Sequence, residues 1–278
     1  LHPQIKHLIE TYQPSILWAD GEWEQTSEVW RTPELIAWLY NESSVEDSIV
    51  INDRWGNDCR GKHGGFYTVE FGGYTDAEAG PRHKWEENRG MGHSYGYNRN
   101  ERIDDYSSAT QLIHLLIDTV AHGGNLLLDV GPTADGRIPV IMQERLVQIG
   151  DWLDVNGEAI FKTKPWRVIE EGEPIPYKHS VKIITKEGWK IKNETIKPIR
   201  YTMTDDAVYA ITLHWPKDEL VLQSPRKAGE INVELLGHPE PLQWKLDNDG
   251  AMAIGVPDLS IDEVPCRHAY VFKLTGVE

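Results

Sequence analysis

Residues 107–130 read SSATQLIHLLIDTVAHGGNLLLDV, and this stretch decides the fold class. Leu112, Leu115, Leu116 and Val120 recur at helical spacing between Ser107 and His122. Gly123-Gly124 ends that helix, and Asn125 to Val130 follows as an apolar run of strand length. A helix, a glycine stop and a buried strand make one step of a largely parallel α/β sheet. The same alternation repeats on either side. His2 to Tyr12 predicts a helix with Ile5, Leu8 and Ile9 on one face, and Ser15 to Ala19 a strand. Thr32-Pro33 opens a helix that runs to about Asn41. Ser48 to Asp53 predicts a second strand, and Lys84 to Glu87 starts a third. Residues 57–82 between them read as loop, rich in Gly and His. Pro139 to Asn156 is a further amphipathic helix, stopped at Gly157.

Near Pro165 the pattern changes. Glu170 to Pro176 is acidic and Pro-bearing, like the opening of a new domain. Val208 to Leu213 alternates with period two, and Leu242 to Val256 predicts a hairpin turning at Asp247–Gly250. Residues 165–278 therefore read as an antiparallel β-sandwich, and residues 1–164 as α/β. A complete (β/α)₈ barrel takes about 250 residues. The α/β part is shorter and holds about four strand–helix units. It is either a smaller open sheet or the second half of a barrel. Half a barrel exposes two unpaired strand edges, which predicts poor solubility or dependence on another chain.

Composition narrows the function. Lys and Arg total 28 and Asp and Glu 44, a net charge of −16. An acidic surface repels phosphate backbones, which argues against nucleic acid. Trp and Tyr number 11 each against 4 Phe. Their flat apolar faces and polar edges suit stacking on sugar rings, although core packing accounts for most of them. Cys59 and Cys266 give no disulfide framework. No apolar run approaches the ~20 residues of a membrane span. A start at Leu1 rather than Met suggests a processed or incomplete product. Asn41-Glu-Ser43 and Asn193-Glu-Thr195 are glycosylation sequons.

Several constellations could carry chemistry. In Pro14 to Glu24, PSILWADGEWE, an apolar run ends at Asp20 before a Gly21 turn, between Trp18 and Trp23. Glu70 lies in GGFYTVEFGGY, read as the loop after the next strand, and Glu86 and Glu87 lie in KWEENRG. Glycoside hydrolysis needs two carboxyl groups flanking the scissile bond, one ionised and one holding a proton. Phe66, Tyr67 and Phe71 near Glu70 could raise its proton affinity. The plainer alternative is solvated surface charge. Arg54, in Asn52-Asp-Arg-Trp-Gly56, could fork onto a hydroxyl or carboxylate, or simply pair with Asp53 at a turn. Gly92-His-Ser-Tyr-Gly96 matches a serine-hydrolase elbow. The polar Tyr97 to Glu101 that follows does not suit the helix an elbow needs. Cys59, His63, His83 and His93 show no familiar zinc spacing, so no metal and no cofactor are expected. Gly131 to Gly136 closes a buried strand and carries no assigned chemistry.

ILWADGEWE, INDRWG, HGGFYTVE, HKWEENRGMGHSYGYNRNE, GGNLLLDVGPTADG, NGEAIFKTKPWR, LHWP and the closing FKLTGV occur in this order. The set resembles the α-L-fucosidases of glycoside hydrolase family 29, animal type, along the whole chain. The resemblance implies a retaining exo-glycosidase acting on terminal α-L-fucose of glycans or glycoproteins. It implies a lysosomal or secreted location and a homo-oligomer, or dependence on the missing barrel half. It implies Asp20 as nucleophile, Trp18 as a wall of the fucose pocket and Arg54 as a contact to sugar and nucleophile. Glu70 is preferred as acid/base, with Glu86 as rival. The family's first half-barrel has no counterpart here, which agrees with the unit count. The chain thus reads as the C-terminal part of a (β/α)₈-like barrel followed by a β-sandwich. A second reading is a catalytically silent carbohydrate-binding or assembly module.

Overall fold

Parallel pairing comes first along the chain. In the computed structural model, which describes residues 1–72, 83–185, 187–191 and 195–278, β1 (Ile16–Leu17) pairs in parallel with β2 (Val50–Ile51). β3 (Tyr67–Glu70) pairs in parallel with β4 (Trp85–Gly90), Glu70 opposite Asn88. Around these lie α1 (His2–Tyr12), the single turn α2 (Ser27–Trp30) and α3 (Thr32–Asn41). α3 carries a Pro in its first turn and buries Leu35 and Leu39, one turn apart. With Ile9 of α1 they meet Val45, Ile49, Ile51 and Trp55 in one core. Leu8, expected on the same face as Ile9, is exposed.

Two expectations change here. The backbone ladder of β1 and β2 is shorter than the apolar runs, because a side chain takes over. Asn52 donates through Nδ2 to the Ala19 carbonyl at 2.7 Å and accepts the Ala19 N–H through Oδ1 at 3.1 Å. The amide continues the ladder by one residue and satisfies both backbone groups. Second, β3 lies in a stretch read as loop. Its two middle residues are both buried, so the alternation that marks a half-exposed strand is missing. Glu70 is thus the last residue of a strand, not a loop residue.

The chain forms two compact units, Leu1–Asn88 and Arg89–Glu278. The second contains α4 (Ala109–Ala121), β5 (Gly124–Asp129) and α5 (Val140–Asn156). A reciprocal pair of hydrogen bonds caps α4. Ser108 Oγ accepts from the Gln111 N–H at 3.2 Å, and Gln111 Oε1 from the Ser108 N–H at 2.8 Å. Gly123, at φ +81°, ends the helical segment as expected.

From β6 (Lys164–Glu171) onward all strands pair antiparallel. β7 (Ile175–Pro176) and β10 (Thr195–Ile196) form one short ladder, and β8 (Lys182–Thr185) and β9 (Gly188–Ile191) another. The sandwich itself adds β11 (Ile199–Met203), β12 (Val208–Thr212), β13 (Glu219–Leu222), β14 (Lys227–Leu235), β15 (Trp244–Leu246), β16 (Met252–Gly255) and β17 (Tyr270–Val277). One sheet has the order β14-β17-β12-β11-β6 and the other β13-β16-β15. The expected hairpin is β15–β16. Asp247 Oδ1 accepts the N–H groups of Asp249 and Ala251 at 2.9 and 2.8 Å, and Gly250 supplies φ +84°.

Every residue of β12 is buried. Val208 and Ala210 face the core between the sheets, with Leu222, Met252, Ile254 and Phe272. Tyr209 and Ile211 belong to a second core, with Ile113 and Ile117 of α4 and Trp152 of α5. The alternation expected in 208–213 is therefore one of direction, not of polarity. β6 opens at Lys164, where helix-bearing elements give way to antiparallel strands. Compactness divides the chain elsewhere, because α4 and α5 cover the outer face of the five-stranded sheet. Arg200 of β11 adds a polar tie, with Nε 2.8 Å from Asp118 Oδ1 of α4.

His114 of α4 is buried in this seam. Its Nε2 lies 2.7 Å from the His268 carbonyl, which only accepts, and its Nδ1 lies 2.5 Å from the Tyr177 hydroxyl. That pattern fits the neutral ring, and burial drives its pKa down to about 4. The folded seam excludes a proton that the unfolded chain binds below about pH 6.5. Stability is full above that pH and falls as pH drops toward 4, by about 3 kcal/mol in all. Urea melts between pH 7.5 and 4 should show this slope, and His114→Gln should flatten it. In the same seam, Ile211→Ala should lower the unfolding free energy by about 2–5 kcal/mol at pH 7.5.

Candidate active site

The site is built within residues 1–88, at the carboxyl ends of β1, β2 and β3. β1 runs into Trp18, Ala19 and Asp20. Gly21, at φ +96°, then turns the chain into a single 3₁₀ turn over Glu22–Glu24. β2 runs into Asn52, Asp53 and Arg54. Parallel strands send their carboxyl ends the same way, so residues far apart in sequence meet at one rim.

Arg54 is the centre of the cluster, its side chain 1 % exposed. Its Nη1 lies 3.0 Å from Asp20 Oδ1 and also pairs with Glu70 Oε1. Its Nε donates to Thr68 Oγ1 at 2.8 Å. The Thr68 hydroxyl in turn donates to Asp53 Oδ1 at 2.7 Å. Asp53 also accepts the Thr68 N–H at 3.1 Å and, through Oδ2, the Gly61 N–H at 2.9 Å. Asp53 and Arg54 are thus bridged by a threonine hydroxyl, where a direct pairing at a turn was the alternative. Burial works against the Arg54 charge, but the Glu70 and Asp20 contacts outweigh it and raise its pKa.

The guanidinium carbon sits 4.5 Å from the Trp18 ring centroid, a cation–π geometry. Trp18 turns its indole N–H to Glu86 Oε1 at 2.8 Å. Burial pushes the Glu86 carboxyl above the usual carboxylate range, against the pull of the Trp18 hydrogen bond and the Arg54 charge. Asp20 and Glu70 are more open, with side chains 56 % and 36 % exposed. Phe66 and Phe71 are buried at the two ends of β3, and Tyr67 stacks on His83. The Glu70 carboxylate itself meets Arg54. A cleft of about 410 Å³ opens beside the cluster, lined by Trp18, Asp20, Glu22, Trp30, Arg54 and Trp55 among others. That is large enough for a small-molecule ligand.

All five residues singled out from sequence, Trp18, Asp20, Arg54, Glu70 and Glu86, are connected through two side chains, Arg54 and Trp18. Thr68 was missed. It stands between ordinary strand residues, and nothing in its neighbourhood marks a hydroxyl as a relay. Gly92 to Gly96 is no elbow, since no helix follows. Ser94 Oγ instead accepts from Asn98 Nδ2 at 3.0 Å, and Glu101 Oε1 takes the N–H groups of His93 and Ser94. Among the described residues, no three His, Cys, Asp or Glu are placed to hold a metal, the group around Cys59 and His63 included. No described helix is long and apolar enough to cross a membrane. Asn41 is exposed but Ser43 of its sequon is buried, while Asn193 lies outside the described residues.

A carboxylate-rich rim of parallel strand ends, followed by a β-sandwich, defines the class of barrel-plus-sandwich proteins. Within that class, the chain belongs to the alpha-L-fucosidase family. The family profile "Alpha-L-fucosidase" matches residues 1–158, and "Alpha-L-fucosidase C-terminal domain" matches residues 192–275. The chain is 39 % identical to the tissue alpha-L-fucosidase of Homo sapiens over 278 residues, covering 99 % of this chain and 54 % of that protein. It is 40 % identical to the plasma alpha-L-fucosidase of Rattus norvegicus over 281 residues, covering 99 % and 56 %. Its fold matches a crystal structure of the Thermotoga maritima alpha-fucosidase in complex with a mechanism-based inhibitor. The TM-score is 0.73 at 30 % identity, over 99 % of this chain and 55 % of that one. The chain thus spans about half the length of the relatives it matches. The α/β elements are part of a (β/α)₈-like barrel, and the antiparallel strands are the C-terminal β domain.

The geometry makes Asn52 the pin of the Asp20 strand end. Asn52→Ala should cost about 1–3 kcal/mol of stability, because it orphans the part-buried Ala19 N–H and carbonyl. Denaturant melts of the variant and the parent check this.

Proposed function

We propose that the full-length protein is a retaining α-L-fucosidase that removes terminal α-L-fucose from glycoconjugates. The observation that carries this reading is the sharing of one buried guanidinium nitrogen by Asp20 and Glu70, directly over the Trp18 ring. Asp20 attacks the anomeric carbon as the bond to the leaving oxygen breaks, and a carboxylic acid protonates that oxygen. Water then opens the fucosyl–enzyme ester, and the same group, now a carboxylate, takes the proton from the water. Arg54 orients Asp20, and Trp18 offers a flat apolar face to the sugar.

Two carboxylates compete for the acid/base role. Glu70 is engaged in an ion pair with Arg54, an arrangement that uses its negative charge. Glu86 is drawn upward by burial and oriented by the Trp18 indole, as a proton donor requires. On these environments we assign the proton to Glu86 and a charge-setting role to Glu70, the reverse of the order expected from the aromatic neighbours of Glu70. The resemblance to tissue and plasma relatives supports a lysosomal or secreted setting. The reading also carries a homo-oligomer, or dependence of this part on the rest of the barrel.

In the full-length protein, Asp20→Gly should lower turnover of an aryl α-L-fucoside by at least about a thousandfold. Azide should restore part of it by forming the fucosyl azide. Unchanged turnover ends the nucleophile assignment. Fucose binding without turnover by the parent protein would favour the silent binding module instead. Glu86→Gln should slow a poor leaving group by about a hundredfold or more. It should also remove the alkaline limb of kcat/KM, since an acid loses activity as pH rises through its pKa. If Glu70→Gln removes that limb and Glu86→Gln leaves it, the acid/base role belongs to Glu70.

A further inference from the structure

Glu22 stands two residues beyond Asp20 and has a role no step above uses. Its side chain is only 4 % exposed and it lines the same cleft. One carboxylate oxygen, Oε1, meets Arg60 Nη1 at 3.1 Å. The other, Oε2, is buried and has no hydrogen-bond partner among the described residues. Arg54 also acts on this carboxylate through space, but Arg60 is the one cation in direct contact with it among the described residues, so losing Arg60 leaves a buried carboxylate with no direct partner. Arg60 is far more open, at 40 % exposure, so its own position depends on its loop.

That loop is stitched down at three points. Gly61 donates its N–H to Asp53 Oδ2 at 2.9 Å, which ties it to the residue preceding Arg54. Asn57 donates its N–H to the Gln25 carbonyl at 3.0 Å. Asp58 accepts the N–H and the hydroxyl of Ser27, both at 2.8 Å. The loop therefore grips the Arg54 strand end on one side and the segment after the Asp20 turn on the other. Only Gly21 separates Asp20 from Glu22, so the two side chains share one tight turn. If Glu22 swings out to reach water, the turn bearing Asp20 goes with it.

We propose that Arg60, by neutralising the buried Glu22, is a positioning residue that holds the Asp20 turn against Arg54. The inference rests on Asp20 being the nucleophile for its effect on rate, but not for its effect on structure. Two readouts on the full-length protein keep these apart. Hydrogen–deuterium exchange of residues 18–26 reads the turn directly. Steady-state hydrolysis of an aryl α-L-fucoside reads its consequence.

Arg60→Ala should speed exchange across 18–26 and lower kcat about tenfold, since a small misplacement of a reacting group is costly, with KM little changed. Arg60→Lys, which keeps the charge, should recover much of both. The decisive variant is Glu22→Gln combined with Arg60→Ala. With no charge left to neutralise, it should return exchange and kcat toward the parent values. Parent-like exchange in Arg60→Ala, or a double variant no better than Arg60→Ala, overturns the proposal. If the parent protein has no fucosidase turnover, the catalytic reading falls, while the exchange data still decide whether Arg60 holds the turn.

Discussion

A guanidinium cannot be buried without company, and Arg54 is almost wholly buried. Its need for negative partners organises the first 88 residues around it. Three strands supply those partners: β1 with Asp20 beyond it, β2 with Asp53 beyond it acting through Thr68, and β3 with Thr68 and Glu70. The Trp18 face closes the remaining side. These residues come from three separate stretches of sequence, around Asp20, Arg54 and Glu70, so the cluster exists only once the fold has brought the three together. The charge in turn fixes those strand ends, because moving any one of them would strip a buried cation of a partner. Framework and site are one electrostatic arrangement. The residues that look catalytic are also the ones that hold the strand ends together.

Much of this was legible in the amino-acid order, for physical reasons that differ from place to place. α4 and β5 were readable because a helical stripe, a glycine stop and an apolar run are local signals. Asp20 and Arg54 were readable because each interrupts an apolar run at its end, where a parallel sheet displays side chains. β3 was not readable, because a short strand with both middle residues buried loses the alternation that marks a half-exposed one. The surroundings of Glu70 and Glu86 were also out of reach. Nearby aromatics suggested which carboxyl would hold a proton, but burial and hydrogen bonding are set by the fold. The aromatics around β3 pack into the core or onto His83, while the indole that matters to Glu86 comes from 68 residues upstream. Thr68 is the extreme case, an unremarkable strand residue that relays between a buried cation and a buried anion.

The outer face of the five-stranded sheet was also hidden. Tyr209, Ile211 and Val271 point away from the sandwich core, yet they are as buried as the residues that point into it. α4 and α5 cover them, and the Trp152 indole donates to the Ala269 carbonyl across the same seam at 2.9 Å. The topological change at Lys164 and the hydrophobic continuity of the chain therefore fall in different places. A gene fusion or recombination event cut at the topological change would leave a greasy sheet on one fragment and two stripped helices on the other. The compact piece is longer than the sandwich: it begins at Arg89, and the helices stay with the strands as their roof.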